Sequence, residues 1–278
     1  MAGTTEFLQN LIAGGVAGLS VDLMLYPIDT LKTRLQSPQG FLASGGFRGV
    51  YNGVGAVGVG SSPGSAMFFT IYEGSKPYTT EWCLQNGRSQ SLGHMLSASA
   101  GEVCACFVRV PTEVIKSHMQ TNSKECSTVF NTVKFVMNGG GGGGGGVSSL
   151  YRGFGVTIFR EIPFAFIQFP IYERLKSYWG DKMVKKVSAV EAAVCGSIGG
   201  AIAAAATTPL DVMKTRMMLG VDAEGVNYTS MVDTARRIAA KEGVSTFFNG
   251  VQPRVMWISI GGFIFFGAFE SFKSIIGK

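Results

Sequence analysis

The motif Pro-x-Asp/Glu-x-x-Lys occurs three times in this chain, as Pro27-Ile28-Asp29-Thr30-Leu31-Lys32, Pro111-Thr112-Glu113-Val114-Ile115-Lys116 and Pro209-Leu210-Asp211-Val212-Met213-Lys214. The copies are spaced by roughly a hundred residues, the mark of a chain built from one repeated unit. Each closes a long apolar stretch. Ionisable groups are costly in hydrocarbon and are retained there for function. A charge pair at the end of three equivalent apolar segments therefore predicts three copies of one membrane unit, divided at 1–85, 86–182 and 183–278.

Composition points the same way, with 46% hydrophobic and only 15% charged residues, where a soluble domain carries about 25% charged. Stretches apolar enough to cross about 30 Å of hydrocarbon lie near 7–35, 54–77, 91–119, 155–178, 187–217 and 253–275. The fold expected is an all-α membrane protein with six transmembrane helices, arranged as three pseudo-symmetric two-helix repeats around a central cavity. Two further elements recur. The even helices end in aromatic-Glu-x-x-Lys, at Tyr72-Glu73-Gly74-Ser75-Lys76, Tyr172-Glu173-Arg174-Leu175-Lys176 and Phe269-Glu270-Ser271-Phe272-Lys273. Between the helices of each pair stands aromatic-x-Gly, at Tyr51-Asn52-Gly53, Tyr151-Arg152-Gly153 and Phe248-Asn249-Gly250.

Proline inside a membrane helix frees a carbonyl and kinks the rod. Three kinks at equivalent places would draw the odd helices together at one end. The acid and lysine of one motif are three residues apart and can pair within their own helix for only about 0.2–0.5 kcal/mol. Brought together, the three motifs would pair between helices, in a ring that forms and breaks. The aromatic-Glu-x-x-Lys residues would make a second ring at the opposite end, and a working carrier cannot keep both shut. Gly14-x-x-x-Gly18 and Gly196-x-x-x-Gly200 both begin thirteen residues before a proline, and small residues at this spacing predict close helix packing. The unbroken run Gly139 to Gly146 reads as a flexible low-complexity insertion.

Other classes fit less well. Cys83, Cys104, Cys106, Cys126 and Cys195 are odd in number and scattered, which signals neither a disulfide framework nor a zinc site; no metal or other cofactor is expected. The net charge of +6 suits an anionic membrane surface, and without a basic stripe interleaved with aromatics, nucleic acid is not an expected partner. The start of the sequence has neither a basic run nor a small-residue cleavage site of the kind that marks a cleaved leader. No nucleophile and base constellation suggests an enzyme, and a channel would not need two complete gates.

Together these elements resemble the mitochondrial carrier family over nearly the whole chain. The family's motif continues to a second basic position, filled here by Arg34 and Arg216 but by His118 in repeat two. Its bracing glutamine, nine residues after the proline, is matched by Gln36 and Gln120 but not by Met218. The resemblance implies a monomer in the mitochondrial inner membrane, in contact with cardiolipin, that exchanges solutes by alternating access. It assigns Asp29, Lys32, Glu113, Lys116, Asp211, Lys214, Gln36 and Gln120 to a matrix-side gate. Glu73, Lys76, Glu173, Lys176, Glu270 and Lys273 become the cytoplasmic-side gate.

Symmetric residues build such a machine, so asymmetric ones should read the cargo. Asp22, Glu102 and Arg109 have no charged counterpart in the other repeats. On an ideal helix they lie within about 40° of their motif acids, facing the cavity; Glu102 and Arg109 could also pair with each other. By resemblance, Arg160 and Glu161 fill the family's contact point on the fourth span, with Gly60 and Ser61 at the matching place on the second and Trp257 on the sixth. Gln168 lies seven residues beyond Glu161 on nearly the same face. Arginine beside an acid suits a cargo with a carboxylate and an ammonium. Asp22 and Glu102 favour an extra positive charge, and Trp257 offers a face for cation or ring stacking. This chemistry covers lysine, ornithine, carnitine and S-adenosylmethionine alike. The stretches Val21-Asp22-Leu23, Thr33 to Phe41, Ala100 to Val103, Arg109-Val110-Pro111 and Arg160 to Phe164 resemble the family branch whose cargo is S-adenosylmethionine, and imply S-adenosylhomocysteine as counter-substrate. An adenine-nucleotide cargo would need more basic groups for its phosphates, and Thr215-Arg216-Met217-Met218 stands where that branch has a triple arginine.

Overall fold

A computed structural model describes residues 2–88, 90–121, 125–142, 144–183 and 189–276, with side chains described outside 2–17, 19, 58–62, 69, 91, 181–183, 189 and 265–276. The six apolar stretches form helices close to the expected limits. They are α1 (Ala2–Gln36), α2 (Val54–Gln85), α3 (Gln90–Thr121), α5 (Phe154–Met183), the pair α6 (Ala189–Ala206) and α7 (Thr208–Leu219), and α9 (Val251–Ile276). Two short helices, α4 (Val129–Met137) and α8 (Met231–Lys241), lie in the connections of repeats two and three. Each begins at a hydroxyl cap that satisfies a free N–H of the first turn: Thr128 accepts from the Asn131 amide and Ser230 from the Asp233 amide.

By length and hydropathy alone, residues 147–180 and the pair α6–α7 pass as membrane spans among the described residues. The remaining long helices are charged where the sequence predicts function; α3 alone carries Glu102, Arg109, Glu113 and Lys116.

The helix path runs unbroken through Pro27 and Pro111 in α1 and α3. In repeat three it breaks, and α6 and α7 meet at 64°. Pro209 lacks the donor that would continue the ladder. The Thr207 and Thr208 hydroxyls both donate back to carbonyls four residues earlier, Ala203 and Ala204, at 2.7 Å, an arrangement that bends helices.

The even helix of each repeat packs on the odd helix of the next: α2 on α3, α5 on α6, and α9 on α1, which closes the ring. Glycines set the approach at two of these seams. A Cβ on Gly101 would stand 3.0 Å from the Phe68 carbonyl oxygen, and one on Gly199 3.2 Å from that of Gln168. Gly200 is likewise closed in by Ile258 of α9 at 2.7 Å. A Cβ on Gly18 would meet nothing within 4 Å among the described residues, and Gly14 lies outside the described side chains.

The aromatic-x-Gly elements explain how one end is sealed. Gly53, Gly153 and Gly250 have φ of 88°, 78° and 78°, a region in which only glycine is unstrained. Each turns the chain against the odd helix of the following repeat: Gly53 faces Met119, Gly153 faces Met218 and Gly250 faces Gln36.

Within the glycine run, two residues make close contacts that its composition does not predict. Gly141 and Gly142 are left-handed, with φ of 79° and 81°. A Cβ on Gly141 would lie 2.6 Å from His118 Cε1 and 2.8 Å from the Leu219 carbonyl oxygen, and one on Gly142 would collide with Asn227 Oδ1. The Gly141 carbonyl accepts from Arg152 Nη1 at 2.7 Å. Gly141 and Gly142 are thus wedged between repeats two and three, where side chains do not fit. We expect Gly141→Ala to cost about 2 kcal/mol or more through strain and overlap, read as a melting temperature several degrees lower. Gly144, open and not left-handed, is the internal control: Gly144→Ala should be neutral or slightly stabilising.

Candidate functional site

Where the three Pro motifs converge, their charges pair between repeats. Asp29 Oδ2 meets Lys116 Nζ at 2.7 Å, Glu113 Oε2 meets Lys214 Nζ at 2.6 Å, and Asp211 Oδ2 meets Lys32 Nζ at 2.7 Å. Each acid takes the lysine of the next repeat, so the ring closes in one sense. None of the motifs uses the weaker pairing within its own helix among the described contacts. Asp211 is the most enclosed acid, with 2% of its side chain exposed against 21% for Asp29 and 25% for Glu113.

Two of the bridges carry a glutamine. Gln36 donates to Asp211 Oδ2 at 3.1 Å while its own oxygen accepts the Thr215 hydroxyl at 2.6 Å. Gln120 donates to Asp29 Oδ2 and to Thr30 Oγ1, both at 3.1 Å. At Met218, where the sequence lacks the glutamine, the Glu113–Lys214 bridge has no such brace.

The second basic position forms a further layer. Arg34 Nε donates to the Gln120 carbonyl at 2.8 Å and Arg216 Nε to the Gln36 carbonyl at 2.5 Å. His118 hydrogen-bonds the backbone of Met218, so the histidine keeps the threefold pattern despite departing from the motif.

Arginines occupy the next turn inward. Arg109 of α3 contacts Glu102, reaches Glu113 Oε1 at 3.4 Å and Glu161 Oε1 of α5 at 3.6 Å. Arg160 contacts its neighbour Glu161 and reaches Asp211 Oδ1 at 3.2 Å. Four of the expected site residues, Glu102, Arg109, Arg160 and Glu161, therefore form one network that is continuous with the ring. Asp22 stands two turns before Asp29, near enough to act on Lys116 electrostatically. Gln168 lies against α6 instead, its Nε2 3.6 Å from the position of a Gly200 Cβ. Trp257 is half-buried on α9. Gly60 and Ser61 lie outside the residues whose side chains are described.

The opposite end is arranged differently. Lys76 Nζ sits 5.5 Å from the centroid of Tyr72 and Lys176 Nζ 5.6 Å from that of Tyr172, each on its own helix. Glu73 and Glu173 are exposed, and among the described residues no ion pair joins these four. Glu270 and Lys273 lie outside the described side chains.

A family model described as mitochondrial carrier protein matches three consecutive segments, 3–81, 87–183 and 185–278. The chain belongs to the mitochondrial carrier family. Similar relatives extend over nearly the full length of both chains. A putative mitochondrial carrier protein, PET8, of Eremothecium gossypii is 47% identical over 98% of this chain and 99% of its own. The mitochondrial S-adenosylmethionine carrier proteins of Xenopus tropicalis and Mus musculus are each 44% identical, covering 98% and 97% of this chain and 97% and 95% of their own.

The carrier's network includes a member absent from the sequence reading. Arg254 of α9, only 3% exposed, places Nη1 2.5 Å from Asp211 Oδ1. Counted from Gly53, Gly153 and Gly250, its counterparts are Val57 and Thr157. It is an unmatched charge in an apolar span and meets the same test that singled out Asp22, Glu102 and Arg109. It stands four residues beyond Gly250, directly after Pro253.

Proposed function

We propose that this carrier exchanges cytosolic S-adenosylmethionine for matrix S-adenosylhomocysteine across the mitochondrial inner membrane, acting as a multi-pass monomer and not as an enzyme. Cardiolipin is the expected lipid partner. The Pro-motif ring is the matrix-side gate and the aromatic-Glu-x-x-Lys set the cytoplasmic-side gate; the arrangement described is then the form open toward the cytoplasm. One observation carries the cargo assignment: Glu102, Glu161, Arg109 and Arg160 converge immediately inside the closed ring. The names borne by the relatives in Xenopus and Mus support the same cargo.

Arg160 holds the cargo carboxylate and Glu161 its ammonium, while Glu102 and Asp22 attract the sulfonium. Gly60 and Ser61 leave room, and Trp257 offers a stacking face. Arg109 and Arg160 pair with Glu102 and Glu161, and the same arginines reach Glu113 and Asp211 of the ring. Cargo that takes Glu102 and Glu161 from Arg109 redistributes charge at the gate itself. A charge-assisted hydrogen bond is worth about 1.5–3 kcal/mol, enough to bias such an exchange of partners.

Liposomes containing the purified protein test this reading. Uptake of labelled S-adenosylmethionine should be supported by internal S-adenosylhomocysteine and not by ornithine, carnitine or ATP. Exchange driven by ornithine or carnitine would keep the gates and reassign the cargo. Current without any internal substrate would replace the exchanger by a channel.

A further inference from the structure

Asp211 divides its partners between its two oxygens. Oδ2 accepts from Lys32 at 2.7 Å and Gln36 at 3.1 Å, both on α1. Oδ1 faces Arg160 at 3.2 Å and Arg254 at 2.5 Å. One oxygen is thus committed to the bridge with α1, and the other to arginines of α5 and α9. Among the described contacts Asp29 shows no such division, since Lys116 and Gln120 both use its Oδ2.

Arg254 also reaches the bend. Its Nη2 donates to Thr207 Oγ1 at 2.9 Å, and that hydroxyl donates in turn to the Ala203 carbonyl across the break between α6 and α7. Arg109 lies two residues before Pro111, the place that Thr207 holds before Pro209, and reaches Glu113 from there. Repeat three has no arginine on the odd helix at that position and supplies its guanidinium from α9.

We propose that Arg254 is a positioning residue of the gate. It holds Asp211 in place and electrically compensated while Lys32 leaves, and it fixes the angle at which α7 presents that acid. A buried carboxylate stripped of its only cation would resist opening; Asp211 keeps a cation throughout. This assignment rests on reading the Pro-motif ring as a gate that opens in turnover.

The test is exchange of labelled S-adenosylmethionine in liposomes, or of ornithine should that prove the cargo, with Arg254→Gln, Arg254→Lys, Asp211→Asn and Lys32→Gln. Arg254→Gln should lower the maximal rate at least tenfold with KM within twofold of wild type, because Arg254 does not touch cargo. Arg254→Lys should recover part of the rate, keeping the cation but not both contacts. Adding Arg254→Gln to Asp211→Asn should raise the melting temperature above that of Asp211→Asn alone, since it removes a stranded cation. A raised KM at full maximal rate would make Arg254 a cargo contact, and an additive loss of stability would make it packing only; either overturns the proposal. Wild-type exchange in Asp211→Asn and Lys32→Gln would overturn the gate reading and Arg254 with it. Loss of exchange in those two with Arg254→Gln unaffected would overturn Arg254 alone.

Discussion

Arg160→Gln should cut exchange by two orders of magnitude or more while the protein still folds. Arg160 is 17% exposed and its guanidinium lies between Glu161 and Asp211, where a cargo carboxylate would meet little competing water. Removing one partner of a buried, hydrogen-bonded charge pair costs about 2–5 kcal/mol, and each 1.4 kcal/mol is tenfold. Folding should survive because neither acid is stranded: Asp211 keeps Lys32 and Arg254, and Glu161 keeps Arg109 at 3.6 Å. Arg160→Lys should fall between the two, since an ammonium keeps the charge but not the planar fork that fits a carboxylate. The check is the initial rate of uptake at saturating and at limiting cargo, alongside a melting curve. Unchanged exchange in folded Arg160→Gln would remove this residue from the cargo site.

The six spans and three repeats were legible because membrane helices must satisfy their backbone internally; long apolar runs closed by charge have few other uses. The pairing of the Pro-motif charges was only half legible. Spacing put each acid and lysine on one helix face, but the choice between pairing within a helix and pairing onward to the next repeat depends on helix azimuths that no single segment encodes. The contacts of Gly141 and Gly142 were not legible, because composition reports backbone freedom and not contact. Here the same property, a missing Cβ with access to positive φ, lets Gly141 wedge between His118 and Leu219. Arg254 is the opposite case. Its asymmetry was visible, and its partner was not, because Asp211 lies on another span more than forty residues away and is reached only after α6 and α7 bend.

Asp211→Asn should be the most destabilising change in the ring and should also abolish turnover. Asp211 is 2% exposed and receives Lys32, Arg160, Arg254 and Gln36. Neutralising it leaves three cations around an amide that can accept from them with one oxygen only. Breaking a buried pair from one side costs about 3–5 kcal/mol, and for a chain of this size each kcal/mol moves the melting temperature by about 2–4 °C. A fall on the order of 10 °C is therefore expected. Asp29→Asn should also stop turnover, because the ring cannot close without it, yet cost less stability: its side chain is 21% exposed and, among the described residues, Lys116 is the one cation paired with it, beside the Gln120 amide. Lys116 also keeps the nearby charge of Asp22 and the face of the Tyr26 ring, 5.3 Å from its nitrogen. Melting curves in detergent and exchange in liposomes separate the two quantities. Equal thermal losses would mean that the arginines behind Asp211 add nothing to it, and normal turnover in either variant would mean that the ring is scaffold and not gate.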